Sequence, residues 1–405
     1  MSEHFVIVGA GQAGAALAAK LRALGFAGAI TLIGDEAAPP YQRPPLSKKY
    51  LLGDLEEARL YLRPLEYYEE QDITLLTGDA VKDIDRAGQQ VRLASGQVLD
   101  YDRLALTTGS RPRLLPASIG GDLAGVYPVR SLPDVDAMAS EFASGARVLI
   151  IGGGYIGLEA AAVAAARGLQ VTLVELGERI LQRVAAAETS DFFRALHRSH
   201  GVDIREGTGL SRLVGEAGRV TQAVLSDETT LDIDFALVGV GILPNDDLAV
   251  AAGLTVENGI VVDAVTRSSD PLIHAAGDCA VLPYEGQNIR LESVQNAIDQ
   301  AEAAAAAMMG HDVSYAPVPW FWSDQYDVKL QIAGLNQGHD RVVTRPGDGG
   351  AQSVWYYKGT RLLAVDAMNE PRAYMVGKRL IEAGKSPAPD VVSDPSVDLK
   401  TLLSR

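Results

Sequence analysis

The sequence predicts an α/β protein with two dinucleotide-binding domains of Rossmann type and a C-terminal segment of different character. Three observations carry this. The spacing G-x-G-x-x-G occurs twice, each time between an apolar run and an Ala-rich stretch. An acidic residue closes the second apolar run after each copy, and composition changes near residue 318.

In the first copy Phe5 to Val8 reads as a buried strand. Gly9, Gly11 and Gly14 follow, then a helix over Ala15 to Leu24 and a strand over Ala29 to Ile33. Asp35, 21 residues past Gly14, and Glu36 end the unit. The second copy lies about 140 residues on: strand Val148 to Ile151, Gly152, Gly154 and Gly157, helix Leu158 to Arg167, strand Val171 to Val174. Glu175 closes it, 18 residues past Gly157. Glycines at this spacing allow a tight turn and bring backbone N–H groups to a pyrophosphate at the positive end of a helix. A carboxylate at the second strand end accepts hydrogen bonds from a ribose 2′-OH. One NAD-binding unit explains only one copy; two imply two adenine dinucleotides, one of them FAD.

Residues 37–53, AAPPYQRPPLSKKYLLG, hold four prolines and cannot be regular. Arg43 and Lys48 lie there, as in a solvated loop. Residues 59–113 read as strands and turns with a hairpin at Ser95-Gly96, and Leu104 to Thr107 is a strand ending in the small-residue turn Thr108-Gly109-Ser110. A second nucleotide domain is expected from residue 114 to 245, closing at GVGILPN. Residues 260–278 read as strand, turn, strand and end in AAGD, where Asp278 at a strand end suits a ribityl hydroxyl. Ser293 to Met309 is an Ala-rich helix whose N-terminus suits the pyrimidine edge of a flavin. The expected division is residues 1–113 with 246–317 for FAD, 114–245 for NAD, and 318–405 as a C-terminal domain.

Composition excludes several classes. A net charge of −16 argues against nucleic acid and anionic membrane as partners. No apolar run reaches membrane-spanning length and the N-terminus runs directly into a strand, so a cytoplasmic location is expected. Cys279 is the one cysteine, which rules out a dithiol; redox chemistry must use a bound cofactor, and Cys279 reads as a buried small residue. The six histidines form no ligand cluster, and His197 and His200 read as a solvated helical pair. Residues 318–405 carry 11 Lys/Arg and 10 Asp/Glu, against 25 and 42 in the rest, and hold all three tryptophans. One near-neutral segment in an acidic chain suits a docking surface for an acidic partner.

The motifs GAGQAG (9–14), PYQRPPLSK (40–48), TTGSRPR (107–113), GGGYIG (152–157), GILPN (241–245), AAGDC (275–279) and PWFWSDQY (319–326) occur in this order. Together they resemble the FAD-dependent, NADH-dependent ferredoxin reductases over the full length. The closest likeness is to those serving cytochrome P450s, with reductases of ring-hydroxylating dioxygenase or rubredoxin systems as the alternative. The resemblance implies a glutathione reductase-like fold with a C-terminal α+β domain. It implies that NADH delivers hydride to FAD and that electrons leave singly to a [2Fe–2S] ferredoxin. Gly9, Gly11, Ala13, Gly14 and Asp35 then fall on the FAD pyrophosphate and ribose, and Val81 beside the adenine. Arg43, Lys48, Thr108, Gly109, Arg130, Gly277, Asp278 and Val294 fall elsewhere on FAD. Gly152, Gly154, Tyr155, Ile156, Gly157, Glu175 and Gly241 fall on NAD, with Tyr155 over the nicotinamide. Lys48 and Glu159 would pair beside the flavin as the catalytic residues, and no metal is expected.

One departure stands out. Helix 295–309 has no basic residue, where some relatives use arginine for docking. Weight shifts to the C-terminal cations Lys329, Arg372, Lys378 and Arg379, with Trp320 or Trp322 as an apolar centre. A monomer or weak homodimer is expected. An NADH oxidase needs a reactive cysteine near the flavin, and an NADH-sensing interaction protein needs basic tails; the sequence offers neither.

Overall fold

The computed structural model describes residues 3–404. The chain falls into two compact units, one of residues 1–42, 56–111 and 242–317, the other of 43–55, 112–241 and 318–405.

The first unit is organised on a five-stranded parallel sheet in the order Ile273–Ala275, Arg103–Leu106, His4–Val8, Ala29–Ile33, Ile73–Leu76. His4–Val8 pairs in parallel with both neighbours. A strand so placed is covered on both faces, which is why Phe5 to Val8 is continuously apolar. The helix Gln12–Ala23 packs against the helix Val294–Met308 through Leu17, Ala18 and Leu21 on one side and Ala297, Ala301, Ala304 and Ala305 on the other. Alanine at four successive contact positions lets the two backbones approach closely. The hairpin at Ser95-Gly96 joins Gln90–Leu93 to Val98–Asp100. The region read as strands and turns also holds a helix, Leu65–Glu70, which buries only Tyr68. At six residues it is too short to show a helical period in sequence.

The second unit holds the second βαβ motif in a parallel sheet ordered Asp203–Glu206, Gln170–Glu175, Arg147–Ile151, Phe235–Val238, Val126–Pro128. Its C-terminal sheet is antiparallel, in the order Trp320–Gln325, Val328–Gly334, Arg361–Met368, Gln352–Lys358, Arg341–Pro346. The helix Pro371–Glu382 covers that sheet with Ala373, Tyr374, Val376, Gly377 and Leu380. Trp355 is wholly buried beneath it, whereas Trp320 and Trp322 are half-buried.

The expectation of a solvated His197–His200 pair is corrected. His200 is exposed, but His197 is fully buried and bonded on both ring nitrogens. The helix Ala187–Ser199 buries Ser190, Phe193 and His197 on one face, so an i, i+3 pair straddles the boundary of that face.

Burial pushes His197 and His274 down to about 4. It pushes the buried Asp366 carboxyl up to about 6, against the hydroxyls of Tyr356 and Thr189 that donate to it. Each histidine is depressed, so unfolding takes up a proton there as pH falls from about 6.5 to about 4. Asp366 works the other way and offsets one of the two. The net of roughly one proton predicts that stability falls on acidification through this window, by about 1.4 kcal/mol per pH unit at most. Urea midpoints between pH 4 and 7 check this; His274→Gln should flatten the slope, and a pH-independent midpoint would contradict it.

Candidate functional site

The two glycine motifs have the same geometry, and the three glycines of each play different parts. Gly9 and Gly152 have φ of 110° and 109°, in the left-handed region that favours glycine. A Cβ at Gly9 would lie 2.2 Å from the Thr107 carbonyl oxygen, and at Gly152 2.4 Å from that of Gly239. Gly14 and Gly157 sit inside their helices, where a Cβ would lie 2.0 Å and 2.1 Å from the carbonyl oxygens of Gly9 and Gly152. Gly11 and Gly154 differ: they cap the helices Gln12–Ala23 and Tyr155–Ala166, and a Cβ there meets nothing within 4 Å. Neither cap has a side-chain hydrogen bond to the first-turn N–H groups. Open space in front of uncapped helix donors fits a pyrophosphate, so the residues present fit two dinucleotides.

Around the first motif the fold gathers most of the expected FAD residues. Gly277 has its amide on Gln300 Oε1 at 2.9 Å, and a Cβ on it would lie 3.1 Å from that of Ala13. Asp278 accepts from Ser110 Oγ at 2.8 Å. Thr108 and Gly109 are fixed by Asn245: Thr108 Oγ1 donates to its carbonyl, its side-chain amide donates to Thr108 O, and its backbone N–H donates to Gly109 O. The exposed Asp35 follows its strand, and the amides of Gly78 and Asp79 bond Glu36 O and Gly34 O, which brings buried Val81 to the same end. Val294 opens the helix Val294–Met308, capped by Ser293 Oγ.

The second unit holds Arg43, Lys48 and Arg130 as well as the second motif. Arg43 donates to the Arg130 carbonyl at 2.9 Å. Gly241, at φ 102°, accepts from the Arg113 amide. Glu175 closes its strand with a fixed carboxylate: Oε2 accepts from the Gly153 amide and Oε1 from that of Gly177, both at 2.7 Å. Arg179 is tied to Ser190 Oγ and the Ala185 carbonyl, so it is committed away from Glu175. Ile156 leaves 45% of its surface exposed on the first turn of the helix.

On that helix Tyr155 and Glu159 lie one turn apart, on the face covered by the strand Trp320–Gln325. Tyr155 meets Phe321 edge-on at 5.1 Å, and Glu159 Oε1 accepts from Ser323 Oγ at 2.8 Å. Four residues of helix rise about 6 Å and two of strand about 6.6 Å, so the two pairs match in step. Glu159 Oε2 accepts from Lys48 Nζ at 2.6 Å and Ser47 Oγ at 2.8 Å. Lys48 is therefore not a solvated loop cation: Ser47 is buried, and the turn Pro44–Ser47 aims both side chains at one carboxylate. The phenol of Tyr155 is buried with no hydrogen-bond partner among the described residues; burial first, then the Asp366 and Tyr356 charges, push its pKa well up. Sequence reading passed over Ser47, Ser323 and Gln325. For Ser323 and Gln325 the signal was a run of three polar residues, Ser323 to Gln325, that follows three aromatic ones in a single strand.

Cys279 is fully buried, its Sγ set toward the Leu106 carbonyl, and burial pushes the thiol up. Among the described residues no His/Cys/Asp/Glu group could hold a metal, and no helix is long and apolar enough to cross a membrane.

Residues 3–301 match the pyridine nucleotide-disulphide oxidoreductase family and residues 320–403 the reductase C-terminal family. The structure superimposes on the reductase of a covalent putidaredoxin reductase–putidaredoxin complex with a TM-score of 0.96, at 42% identity over 99% of this chain and 98% of that one. A ferredoxin reductase for the CYP199A2 system of Rhodopseudomonas palustris gives 0.95, at 40% identity over 98% and 99%. The ferredoxin–NAD(+) reductase component of the anthranilate 1,2-dioxygenase system of Burkholderia cepacia is 41% identical over 99% of this chain and all of its own. The chain belongs to the putidaredoxin reductase-like ferredoxin reductases, FAD-containing oxidoreductases of the pyridine nucleotide-disulphide oxidoreductase family.

Proposed function

We propose that this enzyme passes electrons from NADH through FAD to a [2Fe–2S] ferredoxin that serves a cytochrome P450. The observation that carries the reading is the pair of matched glycine turns, each with open space before an uncapped helix. The 40% identity to a reductase of a P450 system supports the last step. The 41% identity to a dioxygenase component favours, as a second reading, a ferredoxin that serves a ring hydroxylase. Residues 1–113 with 246–317 would hold FAD, 114–245 NADH, and 318–405 the ferredoxin. A monomer or weak homodimer working in the cytoplasm, where NADH is supplied, completes the reading.

Bound FAD would supply the exchange between two-electron hydride chemistry and one-electron transfer. The chain's residues orient and balance charge. The helix behind Gly11 would hold one pyrophosphate and that behind Gly154 the other. Asp278 would take a ribityl hydroxyl, Tyr155 would cover the nicotinamide, and Lys48, held by Glu159, would be the cation that balances charge left on the reduced ring. Glu175 would accept from the adenosine ribose.

For docking, Arg372, Met375 and Arg379 lie at i, i+3 and i+7 and are exposed on one helix, and Lys329 is exposed on the neighbouring sheet. Lys378 is less suited than its position in sequence implied. Its Nζ lies 5.0 Å from the centre of the Trp320 ring and 3.8 Å from a Glu382 oxygen.

The purified protein should reduce an acidic [2Fe–2S] ferredoxin with NADH. Reversing Arg372 and Arg379 to Glu should raise the KM for ferredoxin and leave NADH–ferricyanide activity unchanged; unaltered ferredoxin kinetics would move the docking face elsewhere. Glu175 meets a 2′-phosphate with like charge and Arg179 is not available to soften it, so kcat/KM should favour NADH over NADPH by about 10²-fold. Equal values would remove Glu175 from the ribose. Gly11→Ala should fold normally yet bind FAD at least about 10-fold more weakly, whereas Gly14→Ala should lose about 3 kcal/mol of stability. Calorimetry and flavin titration separate the two, and tight FAD binding by Gly11→Ala would contradict the pyrophosphate site.

A further inference from the structure

The hydrogen bonds that reach Glu159 do not stop at Ser323. Starting from the carboxylate, each bond fixes the direction of the next. Glu159 accepts only, so the single Ser323 hydroxyl proton is spent on its Oε1 at 2.8 Å. Ser323 Oγ must then receive, and it does so from Gln325 Nε2 at 3.2 Å. That turns the Gln325 carbonyl the other way, toward His197 Nε2 at 2.8 Å. His197 must therefore carry its proton on Nε2, which leaves Nδ1 to accept from the Tyr326 hydroxyl at 3.2 Å. Tyr326 lies at φ 54°, and its ring stacks on exposed His200 at 3.7 Å. Glu159, Ser323, Gln325 and His197 are all buried.

We propose that Ser323, Gln325 and His197 are positioning residues for the Lys48–Glu159 pair, forming a one-way chain of donors that fixes the carboxylate and, through it, the Lys48 ammonium. Every donor points toward Glu159, so the chain is polarised in the sense that stabilises the anion, and bonds in series strengthen one another. Ser323 occupies Oε1 and leaves Oε2 to Lys48 and Ser47, so the two ends of the carboxylate have separate tasks. The strand motif FWSDQY thus places its two inward polar residues, Ser323 and Gln325, in the site rather than only in the packing of the sheet. Neutral His197, held so by burial, agrees with an Nδ1 that accepts.

The inference rests on Lys48 acting beside the flavin, so the experiment includes a variant for that reading alone. In the holoenzyme, flavin reduction at saturating NADH is followed by stopped flow in wild type, Lys48→Met, Ser323→Ala, Ser323→Thr, Gln325→Met and Tyr326→Phe. Slowing by about 10-fold or more is expected for Lys48→Met and by about 3- to 10-fold for Ser323→Ala, with Ser323→Thr restoring the rate. The loss should lessen along the chain, from Ser323→Ala through Gln325→Met to Tyr326→Phe, while FAD content and NADH affinity hold. ¹⁵N NMR of the wild-type histidines should show one ring as the Nε2–H tautomer and still neutral at pH 5, with that signal displaced in Gln325→Met. An unslowed Lys48→Met overturns the flavin-side reading and the inference with it. A slowed Lys48→Met beside an unslowed Ser323→Ala overturns the chain alone. So does a His197 in the Nδ1–H tautomer, or rate losses that follow thermal stability rather than distance from Glu159.

Discussion

The two glycine turns depend on a distance of about 2 Å that no side chain can occupy. At Gly14 and Gly157 the helix of each motif runs directly against the carbonyl of the glycine that opens its turn. That approach sets where the first-turn amides point and leaves the space before Gly11 and Gly154 clear. The two parallel sheets and their flanking strands then hold the turn rigid, since Gly9 and Gly152 are pressed against the backbone of the next strand. Rossmann geometry here is a packing problem solved twice with the same two glycines, the middle one of each motif facing open space.

The Lys48–Glu159 pair is governed by a different balance. Both side chains are largely out of water, at 18% and 4% exposure, and taking two charges out of water often costs more than their attraction returns. Apolar residues of the same volume could serve the fold as well. What makes the pair tolerable is that two hydroxyls and one ammonium converge on one carboxylate, and the ammonium also donates to the Pro44 carbonyl. Such a bonded cluster is rigid, and rigidity is what a fixed cation needs to act on a neighbouring charge.

Much of this was legible in the sequence because it is local. The two βαβ units span short stretches, and strand, turn, helix and acid can be read along them without knowing the fold. The hairpin at Ser95-Gly96 and the inert Cys279 were legible for the same reason. The burial of His197 was not, because whether a helical histidine faces water depends on a strand 128 residues away. Nor was the direction of Arg179, whose guanidinium turned to Ser190 rather than to the neighbouring carboxylate. Contacts between residues 43–55 and the helix Tyr155–Ala166 are equally non-local. No periodicity encodes them; only the resemblance of whole motifs to a family pointed to the Lys48–Glu159 pair.

At the ribose position proposed for it, the pinned carboxylate of Glu175 would constrain how cofactor preference can change. Its two oxygens hold the amides of Gly153, inside the glycine turn, and of Gly177, in the loop beyond the strand. Lys or Arg in its place would release both loops at once, and Gln, with a single acceptor oxygen, would give up one of the two bonds. On the proposed reading, a one-step route from one nicotinamide cofactor to the other would therefore pass through a loosened glycine turn. An evolving lineage would have to re-anchor that turn before it could gain from the swap. The same two hydrogen bonds would thus slow its divergence.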